Sequence, residues 1–284
     1  MNQRRFQLGL VGYPLGHSRS PELHRIALAA CGFAGEYRLY PCPPTSEGLS
    51  TMTGLLSSLK HGDLNGLNVT IPHKQTVIPL LERLSGVAQA VGAVNTLYVD
   101  PEGLLAGDNT DVAGFLKDLE RFMGKRSTGQ ALILGAGGAA RAVAYALAST
   151  GWTVRVLARR EVQAVNLVKG LSQTTGLEGC LQAGSLQPAS LAGVQCDLIV
   201  NATPVGMYPE VAGCPWPEGV PFPAHATVYD LIYNPLETAL IKRAKAEGLP
   251  ACNGSGMLAV QAALSFRIWT GVEPPFEEMH RAFG

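Results

Sequence analysis

The chain has 284 residues, 46% of them apolar and only 15% charged, against roughly 25% charged in ordinary soluble domains; this argues against a fibre, a short disulfide scaffold or a lone binding module and for about two well-buried domains. Lys plus Arg and Asp plus Glu are both 22, so the formal net charge is zero. No global field is available to hold nucleic acid or an anionic membrane, and any anion must be bound by a local site.

At the start, Arg4 and Arg5 precede an apolar stretch at 6–11 that is broken by Gln7 and Gly9 and soon meets Pro14. It reads as a first strand rather than a signal peptide. Strand-like residues 8–11 are followed by a helix-length segment at 21–31, and residues 67–71 by a helix expected from about Lys74; the alternation predicts parallel strands with crossover helices. Residues 95–99 and 104–106 flank Asp100-Pro101-Glu102-Gly103, whose Pro and Gly predict a hairpin. A connecting helix is expected over 110–122, capped by Thr110, with Val112, Phe115, Leu116, Leu119 and Phe122 on one face.

After the polar stretch 124–130, a second series of strands is expected at 131–134, 154–157, 198–200 and 228–232, separated by helices. The Pro-rich stretch 214–223 must be a loop on this second unit. Helices are expected at 257–269 and 276–283, and periodicity does not say on which unit they pack. Even the Ala-rich segment from Ala139 carries Arg141, so no run approaches the ~18 apolar residues of a membrane span. Cys31, Cys42, Cys180, Cys196, Cys214 and Cys252 are dispersed without metal-ligand spacing, which predicts reduced thiols in a cytoplasmic protein and no metal site.

Within the second series, Leu132-Ile133-Leu134-Gly135-Ala136-Gly137-Gly138-Ala139-Ala140-Arg141 reads as strand, glycine turn and helix. Gly135, Gly137 and Ala140 fit G-x-G-x-x-G/A in the context that gives the pattern meaning: a Cβ would hold the backbone away from a pyrophosphate, and the helix start near Gly138 attracts it. The next strand ends in Ala158-Arg159-Arg160. An NAD enzyme is expected to carry Asp or Glu there for the ribose hydroxyls, whereas two guanidinium groups suit a 2′-phosphate, so NADP is favoured.

In the first half, four polar motifs stand at expected strand ends and turns: Gly16-His17-Ser18-Arg19-Ser20-Pro21, Asn68-Val69-Thr70-Ile71-Pro72-His73-Lys74, Gly92-Ala93-Val94-Asn95-Thr96 and Gly107-Asp108-Asn109-Thr110-Asp111. Singly they read as helix caps and a solvated lysine. Together, at the carboxyl ends of strands, they would form a pocket for a small polyhydroxylated ligand.

With S-x-S-P at 18–21, N-V-T-x-P-x-K at 68–74, G-A-V-N-T, G-D-N-T-D, G-A-G-G-A, N-A-T-P at 201–204, Y-D-x-x-Y at 229–233 and G-x-G-M-L-x-x-Q at 254–261, the sequence resembles the shikimate dehydrogenase family over essentially its whole length. The resemblance implies an α/β fold of two domains: a substrate-binding catalytic domain of residues 1–110 plus 255–284 and a Rossmann-like NADP-binding domain of residues 111–254, with an active-site cleft between them. It implies reversible NADP-dependent reduction of 3-dehydroshikimate to shikimate, on the way to aromatic amino acids. It assigns Ser18, Ser20, Asn68, Thr70, Lys74, Asn95, Asp111, Tyr233 and Gln261 to the substrate, with Lys74 and Asp111 as the catalytic pair. To the cofactor it assigns Gly135, Ala136, Gly137, Gly138, Ala139, Ala140, Ala158, Arg159, Arg160, Leu231 and Gly254. The expected partner is the small-molecule substrate, with no nucleic acid and no membrane; the apolar terminal helix leaves a homodimer open.

Typical members carry N-R-T-x-x-R after the second strand of the cofactor domain. Here Arg159 matches, but Ala158, Arg160 and Gln163 replace Asn, Thr and the second Arg. One basic contact is lost and one gained.

Reduction of a ketone develops negative charge on oxygen, where Lys74 can stabilise it and supply the proton. In reverse, Lys74 must act as base, while Asp111 pairs with it and accepts from a substrate hydroxyl. Ser18 and Ser20 would hold a carboxylate by neutral hydrogen bonds, with Arg19 exposed. His17 and His73 border the motifs and are the natural rival acids or bases, but the family gives them no such role. Asp108 and Asn109 are expected to cap and fix the turn that presents Asp111. The rivals are a member of the same family acting mainly on quinate or an amino analogue, a silent NADP-binding regulator that would have lost the Lys74 and Asp111 pair, and a folate-linked dehydrogenase.

Overall fold

The computed structural model describes residues 4–283, which divide into two compact units. One comprises the described chain up to Gly114 and from Leu258 onward; the other runs from Phe115 to Met257. Among the described residues no helix is long and apolar enough to cross a membrane.

The first unit contains β1 (Arg5–Gly12), α1 (Ser20–Ala30), β2 (Ala34–Pro41), α2 (Ser46–His61), β3 (Gly66–Val69), β4 (Arg83–Leu84), α3 (Gly86–Val91), β5 (Thr96–Val99) and β6 (Leu105–Asp108). Its sheet has the order β2-β1-β3-β5-β6-β4. β1 is parallel to β2 and β3, while β5 runs antiparallel to both β3 and β6. β5 and β6 form the expected hairpin, whose turn is closed by Asp100 accepting from the backbone N–H groups of Glu102 and Leu104, each at 2.9 Å. Because β5 is reversed, its amino end stands at the same sheet edge as the carboxyl ends of β1, β3 and β6, which corrects the expectation that every polar motif follows a strand.

The helix expected from Lys74 does not form. Residues 71–77 are turns leading to a short 3-10 helix at Ile78–Leu80. Pro79 has no N–H to give a helix, and the Lys74 carbonyl accepts from Val94 N at 2.7 Å instead of from a residue one turn on. The helix α4 (Asp111–Met123) is capped by Asn109 rather than Thr110: Asn109 Oδ1 accepts from the N–H groups of Asp111 (3.1 Å) and Val112 (3.3 Å). The Thr110 hydroxyl is drawn instead toward Asn95 and Ser265.

The second unit continues with β7 (Gln130–Leu134), α5 (Gly138–Ser149), β8 (Thr153–Ala158), α6 (Glu161–Thr175), β9 (Leu181–Ser185), α7 (Pro188–Leu191), β10 (Leu198–Asn201), β11 (Thr227–Asp230), α8 (Ala239–Ala246) and β12 (Ala251–Asn253). Every pair in the sheet β12-β11-β10-β7-β8-β9 is parallel. This is the doubly wound order, and its reversal point, where such sheets bind ligands, lies between β7 and β10. The Pro-rich loop packs on this sheet through Trp216, whose Nε1 donates to Val220 O at 2.9 Å, and through Phe222 stacked beside it. Leu132, Leu134, Leu157, Ile199 and Val228 form the core beneath.

The helices α9 (Ser255–Thr270) and α10 (Phe276–His280) follow. From Leu258 onward α9 buries Ala259, Val260, Ala262, Leu264, Phe266 and Trp269 in the first unit. Trp269 lies over Gly66, where no Cβ would fit, and its Nε1 donates to Leu97 O at 3.0 Å. The apolar face of this helix thus completes a core.

His24, on α1, is wholly buried in that core, stacked on Tyr37 with centroids 4.3 Å apart, and among the described residues neither ring nitrogen has a partner in hydrogen-bond geometry. Burial holds the imidazole well below its ordinary 6.5, at about 3. Above pH 6.5 both folded and unfolded chains are neutral there; below it only the unfolded chain takes up the proton, so stability falls with acid down to about pH 3 at about 1.4 kcal/mol per pH unit. His24→Phe keeps a flat ring in the stack and removes the titration. Urea unfolding at pH 7 and pH 5 should show the wild type losing about 2 kcal/mol more than the variant; equal losses would refute the assignment.

Candidate active site

The polar edge of the first sheet gathers the motifs that are far apart in sequence. β3 delivers Asn68, Thr70 and Lys74; the reversed β5 delivers Asn95 and Thr96; β6 and the Asn109 cap deliver Asp111. Lys74 Nζ donates to Asp111 Oδ2 at 2.6 Å, with side-chain exposures of 13% and 6%. Asn95 Nδ2 donates to the other carboxylate oxygen, Oδ1, at 2.9 Å. Asn95 is itself fixed by Thr110, whose N–H donates to its Oδ1 at 2.8 Å, and its Nδ2 lies 3.4 Å from Gln261 Oε1. Lys74, Asn95, Asp111 and Gln261 therefore form one connected set. A nearly buried ammonium can give a proton to one ligand oxygen, while the carboxylate that holds it, with lone pairs left on both oxygens, can accept a hydrogen bond from a hydroxyl.

Asn68 lies behind this set. Its Oδ1 accepts from Tyr37 Oη at 2.8 Å, and its Nδ2 donates to Asn95 O (3.0 Å), Thr96 Oγ1 (3.2 Å) and Ser265 Oγ (3.0 Å). Any bond it gives a ligand must be exchanged for one of these. Tyr37 and Ser265 lie outside the motifs that mark the site in the sequence, whereas Thr96 and Thr110 lie within them but have no substrate role there. The signal for Ser265 is its place one turn after Gln261, whose carbonyl accepts from the Ser265 hydroxyl at 3.0 Å.

Thr70 and Ser18 are half-buried, Ser20 is buried, and Ser18 Oγ accepts from Ser20 N at 3.3 Å. His17 is exposed. Arg19 is not simply solvated: its Nη2 donates to Ala282 O at 2.8 Å, its Nε donates to Glu22 at 2.9 Å, and its guanidinium lies over the Phe283 ring. Asp108, as expected, fixes the turn, accepting from Asn109 N at 2.7 Å and from the Ser85 hydroxyl. Among the described residues no group of His, Cys, Asp and Glu could hold a metal ion.

In the second unit, the glycine turn joins β7 to α5. Gly135 has φ +107°, a left-handed value that disfavours any side chain, and a Cβ there would lie 2.9 Å from Ala202 O. Gly137 is the exposed N-cap of α5, with no side-chain cap bond and open space where a Cβ would stand. A helix start with no side-chain cap fits a pyrophosphate. Ala136, Gly138 and Ala139 are half-buried along the turn, and Ala140 is fully buried. β8 ends at buried Ala158, and Arg159 and Arg160 are exposed, with no ion pair to either among the described residues. The residues present thus fit a dinucleotide carrying an extra phosphate.

The neighbouring loops are tied by Asp230, a residue of the Y-D-x-x-Y motif. Its Oδ1 accepts from Asn201 Nδ2 (2.9 Å) and Ile232 N (3.1 Å), and its Oδ2 from Thr238 Oγ1 (2.7 Å). Burial raises its carboxyl to about 6 despite those bonds. Leu231 and Gly254 are in contact, because Gly254 leaves no room for a Cβ against the Leu231 carbonyl. Tyr233 is half-buried.

Residues 10–97 match the family model described as shikimate dehydrogenase substrate binding domain, and residues 254–282 that described as shikimate 5'-dehydrogenase C-terminal domain. The chain is 43% identical over 265 residues to the shikimate dehydrogenase (NADP(+)) of Salinibacter ruber, covering 92% of this chain and 90% of that one. The crystal structure of the Thermus thermophilus shikimate 5-dehydrogenase, in complex with NADP(H) and shikimate, is similar at a TM-score of 0.83 and 36% identity, covering 98% of each chain. The Corynebacterium glutamicum quinate dehydrogenase in complex with NAD is similar at 0.87 and 33%, covering 99% of each.

Proposed function

The chain belongs to the shikimate dehydrogenase family, and from that premise we propose that it catalyses the reversible, NADP-dependent reduction of 3-dehydroshikimate to shikimate, a step of aromatic amino-acid biosynthesis. The observation that carries the mechanism is the nearly buried Lys74–Asp111 pair, 2.6 Å apart and braced by Asn95. The unit containing it is the substrate-binding catalytic domain, and the unit with the glycine turn is the NADP-binding domain.

NADPH supplies the hydride when bound, held by the turn from Gly135 to Ala140, by Arg159 and Arg160 after Ala158, and by Leu231 and Gly254. The protein's own groups do the rest. Lys74 gives its proton to the substrate oxygen on which negative charge develops, and takes one back in the oxidation direction. Asp111 keeps the ammonium in place and accepts from a neighbouring ring hydroxyl, so that the ring is presented in one orientation. Asn95 and Gln261 bind further hydroxyls, together with Asn68, Thr70 and Tyr233. Ser18 and Ser20 bind the carboxylate by neutral donors. The six cysteines, all free thiols, support a reducing, cytoplasmic setting.

The similarity to a quinate dehydrogenase makes quinate the competing substrate. Nicotinamide absorbance in a grid of shikimate or quinate against NADP+ or NAD+ tests the assignment. Rapid turnover is expected only with shikimate and NADP+. Turnover with quinate or NAD+ would overturn the specificity, and no turnover in any cell despite NADP+ binding would overturn the activity.

A further inference from the structure

His73, the residue before Lys74, does no work in the mechanism above, yet its side chain is only 1% exposed and hydrogen-bonded at both nitrogens. Nε2 lies 2.6 Å from Cys42 O, and a carbonyl can only accept, so Nε2 carries the proton. Nδ1 lies 3.2 Å from Thr76 Oγ1 and faces that hydroxyl within its own turn. With both nitrogens committed to protein partners, the ring has no free position from which to exchange a proton with substrate.

Its bonds instead fix the turn that carries Lys74. The entry to the turn is laced to β1 by Thr70 N donating to Val11 O (2.9 Å) and Tyr13 N donating to Ile71 O (2.8 Å). The exit is held by Val94 N donating to Lys74 O at 2.7 Å. Between these backbone bonds the His73 ring spans to the end of β2, where Cys42 is fully buried and its own N–H donates to Gly12 O at 2.8 Å. Where an ordinary helix would have held the lysine by repeated backbone bonds, residues 71–77 are only turns. We infer that His73 is a positioning residue: by clamping the 70–77 turn to the end of β2, it sets where Lys74 stands relative to Asp111 and the substrate.

This inference rests on the catalytic role proposed for Lys74, so the test uses His73→Leu, His73→Gln and His73→Asn beside Lys74→Met. The Gln amide nitrogen can stand where Nε2 stands and donate to Cys42 O, but it carries no protons between partners; the shorter Asn amide falls where Nδ1 stands and leaves Cys42 O without its donor. Folded fraction is read from thermal unfolding, and kcat is taken per folded protein. His73→Leu and His73→Asn are expected to lower kcat for shikimate oxidation on the order of 10- to 100-fold, the scale of a misplaced catalytic group. KM for shikimate should change by less than roughly threefold, and His73→Gln should recover most of the loss. If Leu fails to fold, the contrast between Gln and Asn decides the matter. A Gln variant as slow as Leu, or a folded Leu or Asn variant with wild-type kcat, would overturn the inference. Wild-type kcat in Lys74→Met would instead overturn the catalytic reading beneath it.

Discussion

Lys74→Met should lower kcat for shikimate oxidation by roughly 10²- to 10⁴-fold, the range that general acid–base catalysis contributes, while KM rises far less. The substitution keeps the length of the side chain and removes the proton, the positive charge and the 2.6 Å bond to Asp111. If the ammonium acts where charge develops, its loss is felt in the transition state and appears in kcat; if it only bound substrate, the loss would appear in KM at unchanged kcat. The two outcomes separate cleanly. Lys74→Arg should not rescue, because a guanidinium keeps the charge but does not release its proton in a protein. The carboxylate left behind is 6% exposed, and stripping a buried pair of one partner costs about 3–5 kcal/mol. Denaturant unfolding should therefore accompany the kinetics, and the bond from Asn95 to Asp111 Oδ1 should keep the cost toward the lower end.

The second large effect is expected at the end of β8. Each charge-assisted bond from an arginine to a phosphate contributes about 1.5–3 kcal/mol, so Arg159→Ala and Arg160→Ala together should weaken NADPH binding by roughly 10²-fold or more and leave NADH binding almost unchanged. The readout is fluorescence titration of each nucleotide. Both arginines are exposed, and Arg160 serves as N-cap of α6 through its backbone only, so neither substitution removes a cap bond or a core contact. The single variants decide whether Arg160 replaces the basic residue absent at Gln163. Equal weakening of NADPH and NADH would mean that the arginines do not read the 2′-phosphate.

Much of the fold was legible because its signals are local. The strand, glycine turn and helix from Leu132 to Arg141 can be read from apolar run length and glycine placement, and the hairpin around Asp100 from its Pro and Gly. β2, β4, β9 and β12 carry no such signal. β2 alternates polar and apolar residues along a sheet edge, β4 has two residues, β9 carries Gln and Gly, and β12 has three residues. Such strands exist because a neighbouring strand completes their hydrogen bonds, and that neighbour lies far away in sequence. The helix expected at Lys74 fails on a local and a distant cause together: Pro79 gives no N–H, and Val94 claims a carbonyl that a helix would have used.

By itself the sequence determined the chemical inventory: a lysine, carboxylates, amides and hydroxyls in motifs, a glycine turn that admits a phosphate, and no acidic residue at the end of β8. Those properties depend on residue type and on neighbours within a few positions. Only the tertiary structure decided how the inventory is used. The reversal of β5 brings Asn95 onto Asp111, the cap by Asn109 starts α4 at Asp111, and the packing of α9 sets Gln261 beside Asn95 and Ser265 behind Asn68. The burial of His73 turns a candidate base into a strut. Each of these rests on strand order, strand direction and desolvation by distant segments, which no local pattern of residues encodes.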